Sequence, residues 1–165
     1  MQVANIHATC VVCAGAGHEF GAPADAGVLL LGESGSGKSD LALRLIAMGA
    51  RLVADDRCEI FIERALLHAR APRTIAGLVA IRGVGIIELP FVPQARVALA
   101  VRMSREVSQR LAEHRSFRLP SALASSEHTA PPEISIDAGA ASAPAKVVAA
   151  LAAFDNHLFR GETGE

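Results

Sequence analysis

Residues Gly32-Glu33-Ser34-Gly35-Ser36-Gly37-Lys38-Ser39 spell G-x-x-x-x-G-K-S, and nothing else in the chain narrows the fold so far. In such an octet, glycines let a tight loop turn its backbone N–H groups inward around a phosphate. The lysine reaches the β/γ oxygens, and the serine hydroxyl suits Mg²⁺. The flanks agree. Residues 28–31, Val-Leu-Leu-Leu, read as a short buried strand, and residues 39–48 as a helix with Leu41, Leu45 and Met48 on one stripe. Phosphates would then meet a helix N-terminus, where free N–H groups and the dipole favour negative charge. Average composition yields this octet by chance in roughly one chain per few hundred of this length. The strand–loop–helix setting argues further against a Gly/Ser linker. Of sixteen basic residues only Lys38 and Lys146 are lysines. A chain so biased toward arginine places a lysine where a phosphate clamp needs a compact point charge rather than a planar fork.

With 165 residues and 51% hydrophobic content, the chain suits one domain with a core of its own. The expectation is a single α/β catalytic domain over 1–165, with 14–26 as a Gly/Ala/Pro-rich surface insertion and 160–165 as a frayed tail. No apolar run approaches a membrane span, and the N-terminus lacks a basic segment leading into an apolar one. A net charge of −1 leaves no basic footprint for nucleic acid. Three cysteines, an odd and low count, suit a reducing cytoplasm. Cys10 and Cys13 have C-x-x-C spacing, but on a strand they face opposite ways and no second pair completes a zinc set. They read as buried small thiols. Gly15 to Gly21 imitates a dinucleotide fingerprint without opening a helix, so a Rossmann site is not expected there.

Along the chain, strands are expected at 3–13, 28–31, 51–54 and 95–103. A hairpin is expected from 58–62 and 66–69. Apolar strand-like runs occupy 75–81 and 84–89, and a turn follows at 90–93. Residues 104–113 read as a short charged helix, and 116–119 and 133–136 as weaker strands. A final helix opens at Ser142 with Pro144 in its first turn and runs to about Leu158. Val147, Val148, Leu151 and Phe154 share its apolar face.

The strand at 51–54 delivers Asp55 and Asp56 soon after Lys38. A right-handed strand–helix–strand unit would set it beside the phosphate-loop strand, with both C-terminal ends on one edge, where ligands collect in open sheets. Two adjacent aspartates there can divide labour, one toward Mg²⁺ and one toward the proton of an attacking hydroxyl. The plainer alternative is an exposed Asp-Asp-Arg turn.

The block from Gly32 through Asp56 closely resembles the catalytic domain of the HPr kinase/phosphorylase family. Three further segments share the resemblance: Ile6-His7-Ala8, the stretch Ile81-Arg82-Gly83-Val84-Gly85-Ile86-Ile87, and the helix opening Ser142-Ala-Pro-Ala-Lys-Val147. It implies a P-loop-containing mixed sheet with flanking helices, of the HPr kinase/phosphoenolpyruvate carboxykinase type. It implies ATP and Mg²⁺ as cofactors and an HPr-like phosphocarrier as the protein partner, phosphorylated on serine. Residues 32–39 would bind nucleotide, with Glu33, Ser34 and Ser36 completing the loop. Lys38 would support transfer, Ser39 and Asp55 would serve the metal, Asp56 would be the base, and His7 would tune the aspartates. Arg82 would contact phosphate or partner, and the last helix would help grip the carrier. The family forms hexamers. Three departures stand out. The family places a glutamate before Ile-Arg-Gly where this chain has Ala80. The segment 122–132 contains no arginine, whereas the family carries an arginine loop linked to phosphate removal. The family's separate N-terminal domain has no counterpart here. Two other readings compete: a nucleotide-binding regulator without catalysis, motivated by Ala80, and a small-molecule P-loop kinase. The remaining histidines, His18, His68, His114, His128 and His157, read as ordinary.

Overall fold

The computed structural model describes residues 1–106, 114–124 and 128–160. Residues 107–113 of the charged helix expected at 104–113, and 161–165 of the expected tail, lie outside them; residues 104–106 are not helical. Among the described residues, ten strands and two α-helices are β1 (Val3–Val12), β2 (Ala26–Leu31), α1 (Lys38–Ala47), β3 (Arg51–Ala54), β4 (Arg57–Glu63), β5 (Leu66–Arg70), β6 (Leu78–Ile81), β7 (Gly85–Glu88), β8 (Ala95–Met103), β9 (Arg115–Ser116), β10 (Pro132–Ile136) and α2 (Ala143–Asp155).

Eight strands form one mixed sheet: seven run in the order β2-β1-β4-β5-β8-β10-β9, β3 pairs with β1 beside β4, and β2 also pairs with β8. The pairings β2–β1–β4–β5–β8–β2 therefore close into a ring. Its interior holds Ala8, Cys10, Leu29, Leu31, Ile60, Leu67 and Ala100. On the outer face Val11, Val28, Leu30, Leu99 and Val101 pack beneath Leu41 and Leu45 of α1 and Val147, Val148 and Leu151 of α2. This explains why β2 reads as an unbroken apolar run. Both of its faces are covered and both of its edges paired, so no position calls for a polar side chain.

Cys10 lies with the inner cluster and Cys13 with the outer one, as strand alternation expects. Both are buried and free, as is Cys58, and burial pushes the Cys10 thiol up to about 12. The β4–β5 hairpin turns on Arg64 and Ala65, both at positive φ, the geometry of a two-residue turn that follows sheet twist.

Several expectations need correction. The strand carrying the aspartates is not the neighbour of the phosphate-loop strand. β1 lies between them, antiparallel to both, so β2 and β3 run parallel one strand apart. The expected parallel direction holds, and the crossover rule does not forbid an antiparallel strand in the gap. Residues 14–25 include a 3₁₀ turn at His18–Phe20, and Ala26 already belongs to β2. Ile75 ends a second 3₁₀ turn, Arg73–Ile75, before β6 begins. With β7, β6 forms a separate two-stranded sheet. α2 stops at Asp155 rather than near 158, and Ser142 occupies its N-cap position without a side-chain capping bond. β9 spans only Arg115–Ser116, so Ser116 alone of the run expected at 116–119 lies in a strand.

Candidate functional site

At the end of β2 the chain enters the glycine loop. Gly32, Gly35 and Gly37 adopt φ of +153°, +81° and +103°. A Cβ at Gly32 would come within 2.5 Å of Ser36 Oγ, so side chains are excluded there by backbone angle and by space. Gly37 is the N-cap of α1 and offers no capping side chain, leaving the first N–H groups of the helix facing the loop's hollow. Ser36 Oγ is buried without a hydrogen-bond partner. A buried orphan hydroxyl inside a ring of backbone N–H groups fits a phosphate oxygen as its missing partner.

Lys38 opens α1 and is only 5% exposed. Its ammonium donates to the carbonyls of Gly32 at 2.8 Å and Glu33 at 2.9 Å, clasping the loop that it would serve. Burial lowers its pKa below the ordinary 10.5, and Asp56 and Asp55 pull it partly back up. A bound polyphosphate would hold the ammonium charged, so binding takes up a proton wherever the free protein has lost it. Nucleotide affinity should therefore weaken with rising pH, starting below pH 10.5. Calorimetric titration of ADP from neutral to alkaline pH checks this; an onset only at or above 10.5 would contradict it.

β3 and β4 are separated by only Asp55 and Asp56, and both run antiparallel to β1. The aspartates are thus a two-residue interruption of the ladder in a nearly continuous strand, not the start of a reversal. Cys10 pairs with Ala54 and His7 with Arg57, so Asp55 and Asp56 stand opposite Thr9 and Ala8 with no residue inserted; the one-residue register shift lies earlier, at Val53. Asp56 takes φ +67°, with Arg57 N–H donating to Asp55 C=O at 2.7 Å. A left-handed backbone at a non-glycine residue costs free energy, about 1–3 kcal/mol, and concentrates at functional positions. Here β1 holds it from both sides: Ala8 N–H donates to Asp56 C=O at 3.1 Å, and Asp56 N–H donates to Thr9 Oγ1 at 3.1 Å.

The left-handed backbone at Asp56 aims the two carboxyl groups differently. Asp55 is 7% exposed and accepts from Ser39 Oγ (2.6 Å) and Thr9 Oγ1 (3.0 Å) on Oδ1, and from Ala80 N–H (3.3 Å) on Oδ2. The side chain of Asp56 is 60% exposed and lines an open cleft of about 680 Å³ together with Ser34, Lys38, Ser39, Ala80 and Arg82. The structure therefore brings together the loop, Lys38, Ser39, Asp55 and Asp56. His7 Nε2 lies 3.5 Å from Asp56 Oδ1, a charge contact without hydrogen-bond geometry. Arg82 is exposed in the β6–β7 turn and borders the same cleft. Ala80, where the resemblance implies glutamate, sits on that wall and offers Asp55 only its N–H. A second cleft of about 280 Å³ flanks the other side of the loop, between Ser36, Gly37, Met103, Ser104 and Asp137.

Among the described residues no group of three or more His, Cys, Asp or Glu side chains could hold a metal alone. Mg²⁺ does not require one. It commonly binds through one or two protein oxygens and completes its shell with substrate phosphates and water. The hydroxyl of Ser39 and the carboxylate of Asp55, in contact at the foot of the loop, are a hard-oxygen pair of that kind.

Sequence reasoning missed Thr9. It is fully buried, on β1, and touches both aspartates. The available signal was one hydroxyl in an otherwise apolar strand run, two residues after His7.

The model of the HPr serine kinase C-terminal domain matches residues 23–112. HPr kinase/phosphorylase from Clostridium acetobutylicum is 47% identical over 64 residues, 39% of this chain and 21% of that protein. The corresponding protein of a Thermoanaerobacter species is 53% identical over 64 residues, 38% of this chain and 21% of that one. The chain thus spans about a fifth of the length of these relatives. Across nearly its whole length it shares the fold of the Hpr(Ser) kinase/phosphatase from Coxiella burnetii. The TM-score is 0.70 at 25% identity, covering 93% of this chain and 90% of that one. Matched over more than half of its residues by the family model, and along nearly all of its length by a solved relative, the chain belongs to the HPr serine kinase C-terminal domain family.

Proposed function

We propose that this chain is a Mg²⁺- and ATP-dependent protein-serine kinase acting on an HPr-like phosphocarrier in the cytoplasm, as a homo-oligomer like other members of its family. The observation that carries the reading is the meeting of Ser39 and Asp55 at 2.6 Å beneath the glycine loop, with the exposed Asp56 carboxyl beside them in the cleft. Family membership and the names of the relatives support the same substrate class.

In this reading residues 32–39 cradle the β-phosphate with backbone N–H groups, and Ser36 Oγ gains its missing partner. Lys38 turns from its own loop's carbonyls to the β/γ oxygens. Ser39 and Asp55 would hold Mg²⁺, which would supply positive charge to offset the negative charge on the transferring phosphoryl group. Asp56 accepts the proton of the incoming seryl hydroxyl as the new O–P bond forms and the bond to the β-phosphate oxygen breaks. In reverse the same carboxyl group returns that proton. His7, at 3.5 Å, biases the charge of Asp56. Arg82 contributes a cation at the mouth of the cleft. Little covalent work falls to the protein; positioning and electrostatics dominate such transfers.

The test is transfer of label from γ-labelled ATP, with Mg²⁺, to serine of the cognate HPr. Label on that serine is expected. Nucleotide binding without transfer would favour a regulator, the reading that Ala80 motivates. Label on small metabolites instead would point to a small-molecule kinase.

A further inference from the structure

Resting on that reading, we propose that Thr9 is a positioning residue. Its hydroxyl ties the two aspartates into one unit and holds the Asp55 carboxylate in place while Ser39 is occupied elsewhere. One oxygen makes both contacts. Thr9 Oγ1 accepts the Asp56 N–H at 3.1 Å and donates its own proton to Asp55 Oδ1 at 3.0 Å. The relay therefore runs in one direction, from the backbone of one aspartate to the carboxylate of the other. Bonds in such a chain polarise each other inside a protein.

The division of labour among the three donors to Asp55 shows why Thr9 matters. Ser39 donates at 2.6 Å, but its oxygen is also the group placed to face Mg²⁺, and a lone pair turned to a cation dictates where the remaining O–H can point. The Ala80 N–H, at 3.3 Å, is the longest of the three and comes from the separate β6–β7 sheet. Thr9 alone belongs to the main sheet, is fully buried, and serves no other group. It also addresses the strain at Asp56. Asp56 sits at φ +67°, and its N–H points at the strand's one hydroxyl where the ladder between β1 and the β3–β4 strand is interrupted. Without that hydroxyl a backbone donor loses its partner and an acidic oxygen loses a donor. The geometry at stake is the separation and aim of the metal-facing and proton-accepting carboxyl groups. Partners that orient a metal's ligands typically matter by about 10–100-fold in affinity or activity.

The experiment compares wild type with Thr9→Val, which keeps shape and removes the hydroxyl, and Thr9→Ser, which keeps the hydroxyl and removes a methyl. Two readouts are taken on the full chain. The first is calorimetric binding of ADP with and without Mg²⁺. In Thr9→Val, affinity for ADP alone should stay within about twofold of wild type, because the loop is untouched. The gain from Mg²⁺ should shrink by about 10-fold or more. The second is phosphotransfer to HPr, where kcat should fall by about 10–100-fold with the KM for HPr little changed. Thr9→Ser should recover most of both. If Thr9→Val does not fold, Thr9→Ala carries the same comparison against Thr9→Ser. A Thr9→Val protein that keeps the full Mg²⁺ gain overturns the proposal. So does a Thr9→Ser protein as impaired as Thr9→Val, which would assign the effect to methyl packing. The calorimetric readout needs no catalysis. Wild type that transfers nothing therefore removes the kinase reading, while the Mg²⁺ gain still decides the role of Thr9.

Discussion

Lys38→Ala should reduce phosphotransfer by about 10³-fold or more, an effect of roughly 4 kcal/mol on the transition state. The ammonium is placed at the first residue of α1 and buried against the loop. It is the loop's own cation, and Lys146, the other lysine, lies on α2. In a site shielded from water, one positive charge aimed at a transferring phosphoryl group is worth far more than at a surface. The loss should be visible in binding as well, because the lysine contacts ground-state phosphates too. The fold should survive. The ammonium's hydrogen bonds go to two carbonyls of its own loop, and removing a desolvated charge recovers part of what burying it costs. Circular dichroism and thermal melting establish the folded state, and steady-state kinetics with calorimetry measure the rest. A well-folded Lys38→Ala protein within tenfold of wild-type kcat/KM would remove Lys38 from the transfer step.

Asp56→Asn should cut kcat by about 10²–10⁴-fold, or roughly 3–5 kcal/mol, with nucleotide binding almost unchanged. Asparagine suits the test because it tolerates the left-handed backbone, so the +67° φ and the flanking β1 contacts are kept. What disappears is the capacity to accept a proton. Asp56 does not touch the glycine loop through any hydrogen bond, and its side chain is 60% exposed in the cleft where a hydroxyl would arrive. A binding defect equal to the rate defect would instead assign Asp56 to nucleotide or metal retention. The split between the two variants is diagnostic. Lys38→Ala should lose binding and rate, and Asp56→Asn rate alone.

Much of the site was readable before any coordinates because its chemistry is local. Glycines at 32, 35 and 37 announce positive φ, and a lysine and a serine after them announce a helix start over a phosphate. The β4–β5 hairpin and the buried β2 follow from alternation and from an unbroken apolar run. Placement of β1 between β2 and β3 was not readable, because a pairing between residues 8–12 and 51–54 is a long-range choice that no window of sequence contains. The continuation of the strand through the aspartates was hidden for the same reason. Asp-Asp-Arg looks like a turn in isolation, and only the ladder to β1 shows the strand continuing through it. Thr9 follows from both. Its meaning depends on what lies opposite, and its residue type is common in strands for reasons unrelated to catalysis.

The intervening strand has a mechanical consequence. Neighbouring strands lie about 4.8 Å apart, so the loop at the end of β2 and the aspartates after β3 are spaced by two strand widths, roughly 10 Å, fixed by backbone ladders on both sides of β1. The yardstick between them is part of the scaffold itself. In the proposed reading, any adjustment of reach would therefore fall to the incoming protein or to the separate β6–β7 sheet.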